Sequence, residues 1–214
     1  MALAAGREHL VRVAPPPVAG GENFDFVKAA VAGGFDPGAN QGNVDDAVAH
    51  HAAISKELGL PLRFPGKPGA YRAIYQVTES AHMANAALWA ATEPRCANQA
   101  YNITNGDYFR WANLWPRIAE VFEMPHAEPQ TISLVAHMAD KGALWNAMVE
   151  KYGLKPHRYE DIVAWPFGDY VFGCDWDVMS STTKARQHGF HDVVDSEEML
   201  LRLLAQFRAE RIVP

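Results

Sequence analysis

The stretch Tyr101–Phe122, YNITNGDYFRWANLWPRIAEVF, decides the fold class. Ala100–Thr104 is a short apolar-alternating run, the period of a strand with one buried face. Asn105-Gly106-Asp107 breaks it with residues that tolerate a left-handed backbone or bond to their own chain. Trp111, Leu114, Trp115, Ile118 and Phe122 then recur on one helical face. Pro116 lacks an N–H and clashes with the preceding turn, so the helix proper is expected to begin at an Asn113 cap, with Pro116 in its first turn. A strand, a tight turn and a helix in one piece predict an α/β fold.

Working outward, the chain before this stretch changes character at Asn43. Residues 1–42 carry Pro15-Pro16-Pro17, two Gly-Gly pairs and Pro37-Gly38, and read as an irregular N-terminal segment. Within it, Leu10–Val13 could form a short strand and Phe24–Ala32 a short helix. From 43 to 214 the chain reads as one ordered domain. Asn43 suits an N-cap, Asp45 and Asp46 the positive end of a helix, Lys56 its negative end and Gly59 the left-handed position after it. Leu62 and Phe64 make a short strand, and Tyr71–Val77 alternates as a second. Thr78 is expected to cap a helix whose stripe of Ala84, Ala87, Leu88 and Ala91 faces a sheet.

Beyond Phe122, Ser133 is expected to cap a helix with Leu134, Val135 and Met138 facing in. Leu144, Trp145, Met148 and Val149 mark another, ending at Gly153. Asp177 or Ser180 starts a short helix running to Gly189. Ser196 caps the last one, whose inner face is Leu200, Leu203, Leu204 and Phe207. The reading is helix-rich with few strands, and without internal repeats.

Composition narrows the function. The net charge of −6 and the absence of any basic block argue against nucleic-acid and anionic-membrane surfaces. No apolar run approaches a membrane span of about 20 residues. The N-terminus lacks a secretory signal pattern, so a cytoplasmic location is expected. Cys96 and Cys174 have no metal-ligand spacing and read as two reduced thiols.

Neither GxGxxG nor a Walker A pattern occurs, so no backbone cradle for a pyrophosphate is written in these residues. No tyrosine has a lysine four residues on, the spacing that lets a lysine lower a phenol's pKa on one helix face. Tyr152 and Lys155 are close in sequence but span Gly153. His50 and His51 read as a partly exposed helix pair rather than a metal site, because adjacent helical residues diverge. His188 and His191 read as surface residues at a helix exit, and Asp175 and Asp177 as caps. Trp165 and Phe167, flanking Pro166, are the candidates for an apolar pocket.

Four runs carry a family resemblance: LGLPLRFPG (Leu58–Gly66), LWAATEPRCANQAYNITNGDYFRW (Leu88–Trp111), DVMSSTTKARQHGF (Asp177–Phe190) and RIVP (Arg211–Pro214). In this order they resemble the C-terminal half of the progesterone 5β-reductase and iridoid synthase-like group of atypical short-chain dehydrogenase/reductases, with its bacterial epimerase/dehydratase-like relatives. The resemblance implies an extended Rossmann fold of which this chain is the C-terminal, substrate-lobe portion, without the N-terminal dinucleotide-binding half. It implies NAD(P)H-dependent reduction of a C=C bond beside a carbonyl, with a small apolar carbonyl substrate. It places Met199 among positions lining the substrate pocket. The family's tyrosine motif NFYY has only an accidental echo in NFDF, Asn23–Phe26, so no catalytic residue carries over. The expectation is a chain inactive alone, binding no NAD(P)H and prone to self-association, or else a non-catalytic binding module or truncated product.

Overall fold

The computed structural model describes residues 44–214, together with the backbone of Leu10–Arg12. In chain order the elements are β1 (Leu10–Arg12), α1 (Val44–Glu57), β2 (Leu62–Arg63), α2 (Pro68–Arg72), α3 (Ser80–Thr92), a 3-10 turn (Pro94–Cys96), β3 (Ala100–Asn102), α4 (Trp111–Val121), β4 (His126–Ala127), α5 (Leu134–Met138), α6 (Gly142–Tyr152), α7 (Tyr159–Ile162), α8 (Trp165–Gly173), α9 (Thr183–Gln187) and α10 (Ser196–Ala209). The fold is helix-rich α/β with two small sheets, an antiparallel β1–β3 pair and a parallel β2–β4 pair. The Leu10–Val13 strand is present as β1. The expected Asn43 cap and the helix over Phe24–Ala32 lie outside the described residues. Among those described, no helix is long and apolar enough to cross a membrane.

The described residues divide into two compact units, each assembled from separated segments. The larger takes residues 44–75, 109–178 and 197–214. Its centre is aromatic. Phe64 meets Trp115 edge-on at 5.1 Å and Phe172 at 5.2 Å, and Trp111 meets Phe172 at 5.4 Å. Such edge contacts add about 0.5–1.5 kcal/mol each beyond the area they bury. α1 is enclosed on every side, with all side chains from Asp45 to Ser55 buried. Its end follows the sequence: Gly59 takes φ +68°. Gly66 allows α8 to approach; a methyl group there would stand 2.0 Å from the Phe172 carbonyl oxygen.

α4 buries the face its spacing predicts, Trp111, Leu114, Trp115 and Ile118. It starts earlier than expected, however. Arg110 supplies the first carbonyl, accepting the N–H groups of Asn113 and Leu114, and Pro116 lies inside the helix. The burial of Trp111 outweighs the single backbone bond that Pro116 forgoes. Tyr71–Val77 is not a strand. Pro68, pre-set for a first helical turn, opens α2, and only Tyr75 bridges to Phe109. Ser133 caps α5 as expected, its Oγ accepting the Ala136 N–H at 3.2 Å, but Val135 points outward. In α10, Leu200, Leu204 and Phe207 are buried as predicted, while Leu203 is half-buried.

The smaller unit takes residues 76–108 and 179–196, with β1. Its core gathers Ala86, Ala90, Cys96, Tyr101, Ile103, Ala185 and Phe190. The predicted α3 stripe is rotated: His82, Ala86 and Ala90 are buried, while Leu88 is 44% exposed. Alanine occupies nearly every side of α3, so its periodicity does not select a face. Thr78 does not cap it either, because its hydroxyl donates to the Ile103 carbonyl at 3.2 Å.

Candidate functional site

The turn after β3 is a polar junction built on Asn105, which is fully buried. Its N–H donates to the Val77 carbonyl at 3.0 Å and its own carbonyl accepts from Val194 at 2.9 Å. Its side-chain oxygen accepts the Glu79 N–H at 2.7 Å, at the head of α3, and its amide nitrogen donates to Ser196 Oγ at 3.2 Å. Gly106 follows with φ +75°, a conformation glycine adopts freely. Asp107 then accepts the Ser196 N–H at 2.9 Å. Asp107 therefore caps the remote α10 rather than the helix that follows it in sequence.

Beside this turn opens a cleft of about 550 Å³. Gly106, Tyr108 and Met179 line it, with the hydroxyl run Ser180–Thr183 and Arg186. The run is held in place: the Ser180 N–H donates to Gln76 Oε1 at 2.7 Å, and Ser181 Oγ to Thr183 Oγ1 at 3.1 Å. Arg186 crosses back to the turn, donating to the Gly106 carbonyl at 3.1 Å and to Thr182 Oγ1 at 3.3 Å. Hydroxyls and a guanidinium bind and orient a ligand's oxygen atoms; neither is a base at neutral pH. The cleft thus offers groups that can bind oxygen atoms and no base of its own.

The sequence candidates fall elsewhere. Trp165 opens α8 half-buried, Phe167 is 37% exposed, and Met199 is 5% exposed in α10. None of the three lines the hydroxyl cleft. His50 and His51 are both buried, not partly exposed, because α1 is enclosed all round. His50 Nδ1 lies 2.8 Å from the Asp46 carbonyl and His51 Nε2 3.1 Å from that of Arg63, and burial pushes both rings down to about 4. They are neutral packing groups. Asp175 and Asp177 cap no helix. Asp175 pairs with Lys67 at 3.2 Å, and Asp177 accepts the Ile74 N–H at 2.9 Å. His188 is not a plain surface residue, since its Nδ1 shares a 2.6 Å hydrogen bond with the buried Tyr101. Cys96 and Cys174 are free and buried.

Sequence reading missed Tyr108, Ser180–Thr183 and Arg186 as a site. The available signal was the density of hydroxyls in SSTTKAR, inside one of the runs that carried the resemblance.

Burial pushes the phenols of Tyr71, Tyr75, Tyr101 and Tyr159 up, opposite to what a proton-relay tyrosine needs. Tyr152 and Lys155 diverge across Gly153: the phenol donates to Glu57 at 2.7 Å and the ammonium to Glu210 at 3.1 Å. Among the described residues, no three His, Cys, Asp or Glu side chains converge on a metal position. Nor do they fit a dinucleotide. Gly66 and Gly69 face Phe172 and Asp175 rather than an open cradle, and a Cβ on Gly106 would meet Arg186 at 2.8 Å.

Comparison with known proteins shows this chain to be similar to short-chain dehydrogenase/reductases over about half their length. It is related to their progesterone 5β-reductase and iridoid synthase-like group. It is 32% identical over 198 residues to an (S)-8-oxocitronellyl enol synthase of Camptotheca acuminata, a match covering 91% of this chain and 50% of the relative. It is 34% identical over 186 residues to an (S)-8-oxocitronellyl enol synthase of Nepeta cataria, covering 85% and 47%. It is 30% identical over 175 residues to the 3-oxo-Δ4,5-steroid 5β-reductase of Arabidopsis thaliana, covering 80% and 45%. The chain thus spans about half the length of the curated relatives it matches. No family model matches it.

Proposed function

We propose that these 214 residues supply the substrate-facing lobe of an NAD(P)H-dependent reductase of C=C bonds beside a carbonyl, and that they bind substrate without turning it over by themselves. One observation carries the reading: a match running through 91% of this chain but half of an enol synthase. The hydroxyl cleft supports it. An enone offers a carbonyl oxygen as acceptor, and Ser180–Thr183 and Tyr108 present hydroxyl donors beside the apolar Met179. The absence of a glycine-rich turn and of a Tyr-x-x-x-Lys pair from the sequence favours a chain that binds rather than reduces.

The test titrates the chain with a 3-oxo-Δ4,5-steroid and with an 8-oxocitronellyl aldehyde, then adds NADPH. Saturable binding of one carbonyl compound is expected, with no enone-dependent NADPH consumption. NADPH consumption would make the chain a reductase in its own right. Failure of both compounds to bind would remove the substrate-lobe reading and leave a non-catalytic interaction module. Light scattering sharpens that second outcome, since an interaction module is expected to self-associate.

A further inference from the structure

A second cleft, of about 500 Å³, lies wholly within the larger unit and is unused by the function proposed above. Its size falls in the range of small-molecule sites. Ala53 of α1, Leu154 and Val213 give it apolar walls, while Lys56, Arg208 and Arg211 stand around it. Three cations at one cleft are notable in a chain of net charge −6.

The nearby carboxylates leave this charge largely uncompensated. Glu57, also in the lining, is taken by Lys151 at 2.8 and 3.1 Å and by the Tyr152 hydroxyl at 2.7 Å. Those hydrogen bonds hold it below the usual carboxylate range. Glu123 serves Lys56 and Arg208, at 3.8 and 3.7 Å, and its side chain is 73% exposed. Pairs that long and that wet contribute little. Arg208 also donates to the Pro214 oxygen at 3.2 Å and to the Val121 carbonyl, which leaves Arg211 as the unengaged cation. Arg211 makes no ion pair among the described residues.

Arg211 also has an unusual backbone, with φ +58° in the left-handed region that disfavours a long side chain. The turn is fixed from both sides: its N–H donates to the Arg208 carbonyl at 3.0 Å and its carbonyl accepts from Lys155 at 2.8 Å. The backbone thus fixes where the Arg211 side chain leaves the turn, in a conformation that glycine would adopt more easily, and that side chain lines the cleft.

We propose that this cleft binds a small amphipathic carboxylate, its chain against Ala53, Leu154 and Val213 and its carboxylate held by Arg211, with Lys56 and Arg208 beside it. Guanidinium suits that role because its fork matches a carboxylate. Neither an alcohol of the same length nor a short, purely polar anion satisfies both halves of the site.

Calorimetric titration of the full chain with octanoate, octanol and acetate tests this. Octanoate is expected to bind at one site per chain, with octanol and acetate at least about tenfold weaker, and to weaken as salt is raised. R211Q is expected to cost octanoate affinity by about tenfold while keeping the melting temperature, since it removes an exposed charge that makes no ion pair. K56Q should cost less and serves as the second variant if R211Q melts early. No saturable octanoate binding, equal binding of octanol, or full affinity in both variants would overturn the proposal.

Discussion

Two glycine turns, one in each unit, show how little a glycine after a strand says about its purpose. After β2, Gly66 lets backbone touch backbone, with the Phe172 carbonyl where a Cβ would stand. After β3, Gly106 supplies a left-handed kink between the buried Asn105 and the capping Asp107. The first turn is closed by apolar packing around Phe64 and Trp115. The second is closed by hydrogen bonds and leaves a hydroxyl cleft open beside it. Neither is the phosphate cradle that a dinucleotide enzyme places at such a turn.

The comparison breaks most sharply at Gly66. G66A forces a methyl into a carbonyl oxygen at 2.0 Å, and neither backbone is a flexible side-chain tip that could yield. A loss of about 3 kcal/mol or more is expected in chemical denaturation, enough to threaten folding.

The next largest effect probes α1 in the same unit. Burial, and then the neighbouring Asp45 charge, push Asp46 up to about 8 from 3.8. A folded-state value above the unfolded one gives stability that is present below pH 3.8 and lost as pH rises through about 8. D46N removes that ionisation. It is therefore expected to stabilise the fold at pH 8 and to change little at pH 4, read from paired urea melts. Equal effects at both pH values would mean that Asp46 is ionised in the fold. The histidines of α1 run the other way. Their depressed values mean that stability present above pH 6.5 is lost as pH falls through about 4.

The smallest effect belongs to Gly106. G106A pays for a left-handed alanine and displaces the tip of Arg186, a side chain that can move. About 1 kcal/mol of destabilisation is expected, together with altered ligand binding in the adjacent cleft, since Arg186 is part of its wall. A loss as large as that of G66A would show that the two turns are alike after all.

What could be read in advance was whatever one-dimensional patterns govern. The α1 ending at Gly59, the buried face of α4, the Ser133 cap and the inner face of α10 all follow from spacing and capping chemistry. Tyr71–Val77 misled because alternation is satisfied equally by an irregular segment once Pro68 has started a helix before it. α3 misled because alanine on all sides offers no contrast. Asp175 and Asp177 look like caps wherever a helix might follow, yet their partners, Lys67 and Ile74, are more than a hundred residues away. The hydroxyl cleft was missed for a related reason: Ser180–Thr183 have no periodicity, and their partners Gln76 and Gly106 are distant in sequence. Trp165, Phe167 and Met199 are apolar and eye-catching, and the fold gives them no common cleft among those described.

The Asn105 junction has a consequence for the order in which the chain assembles. One arm of its side chain reaches 26 residues back to Glu79, and the other 91 residues forward to Ser196. The first contact is local, whereas the second spans most of the described chain, and closing so distant a contact favours slow, late completion of the smaller unit over local collapse.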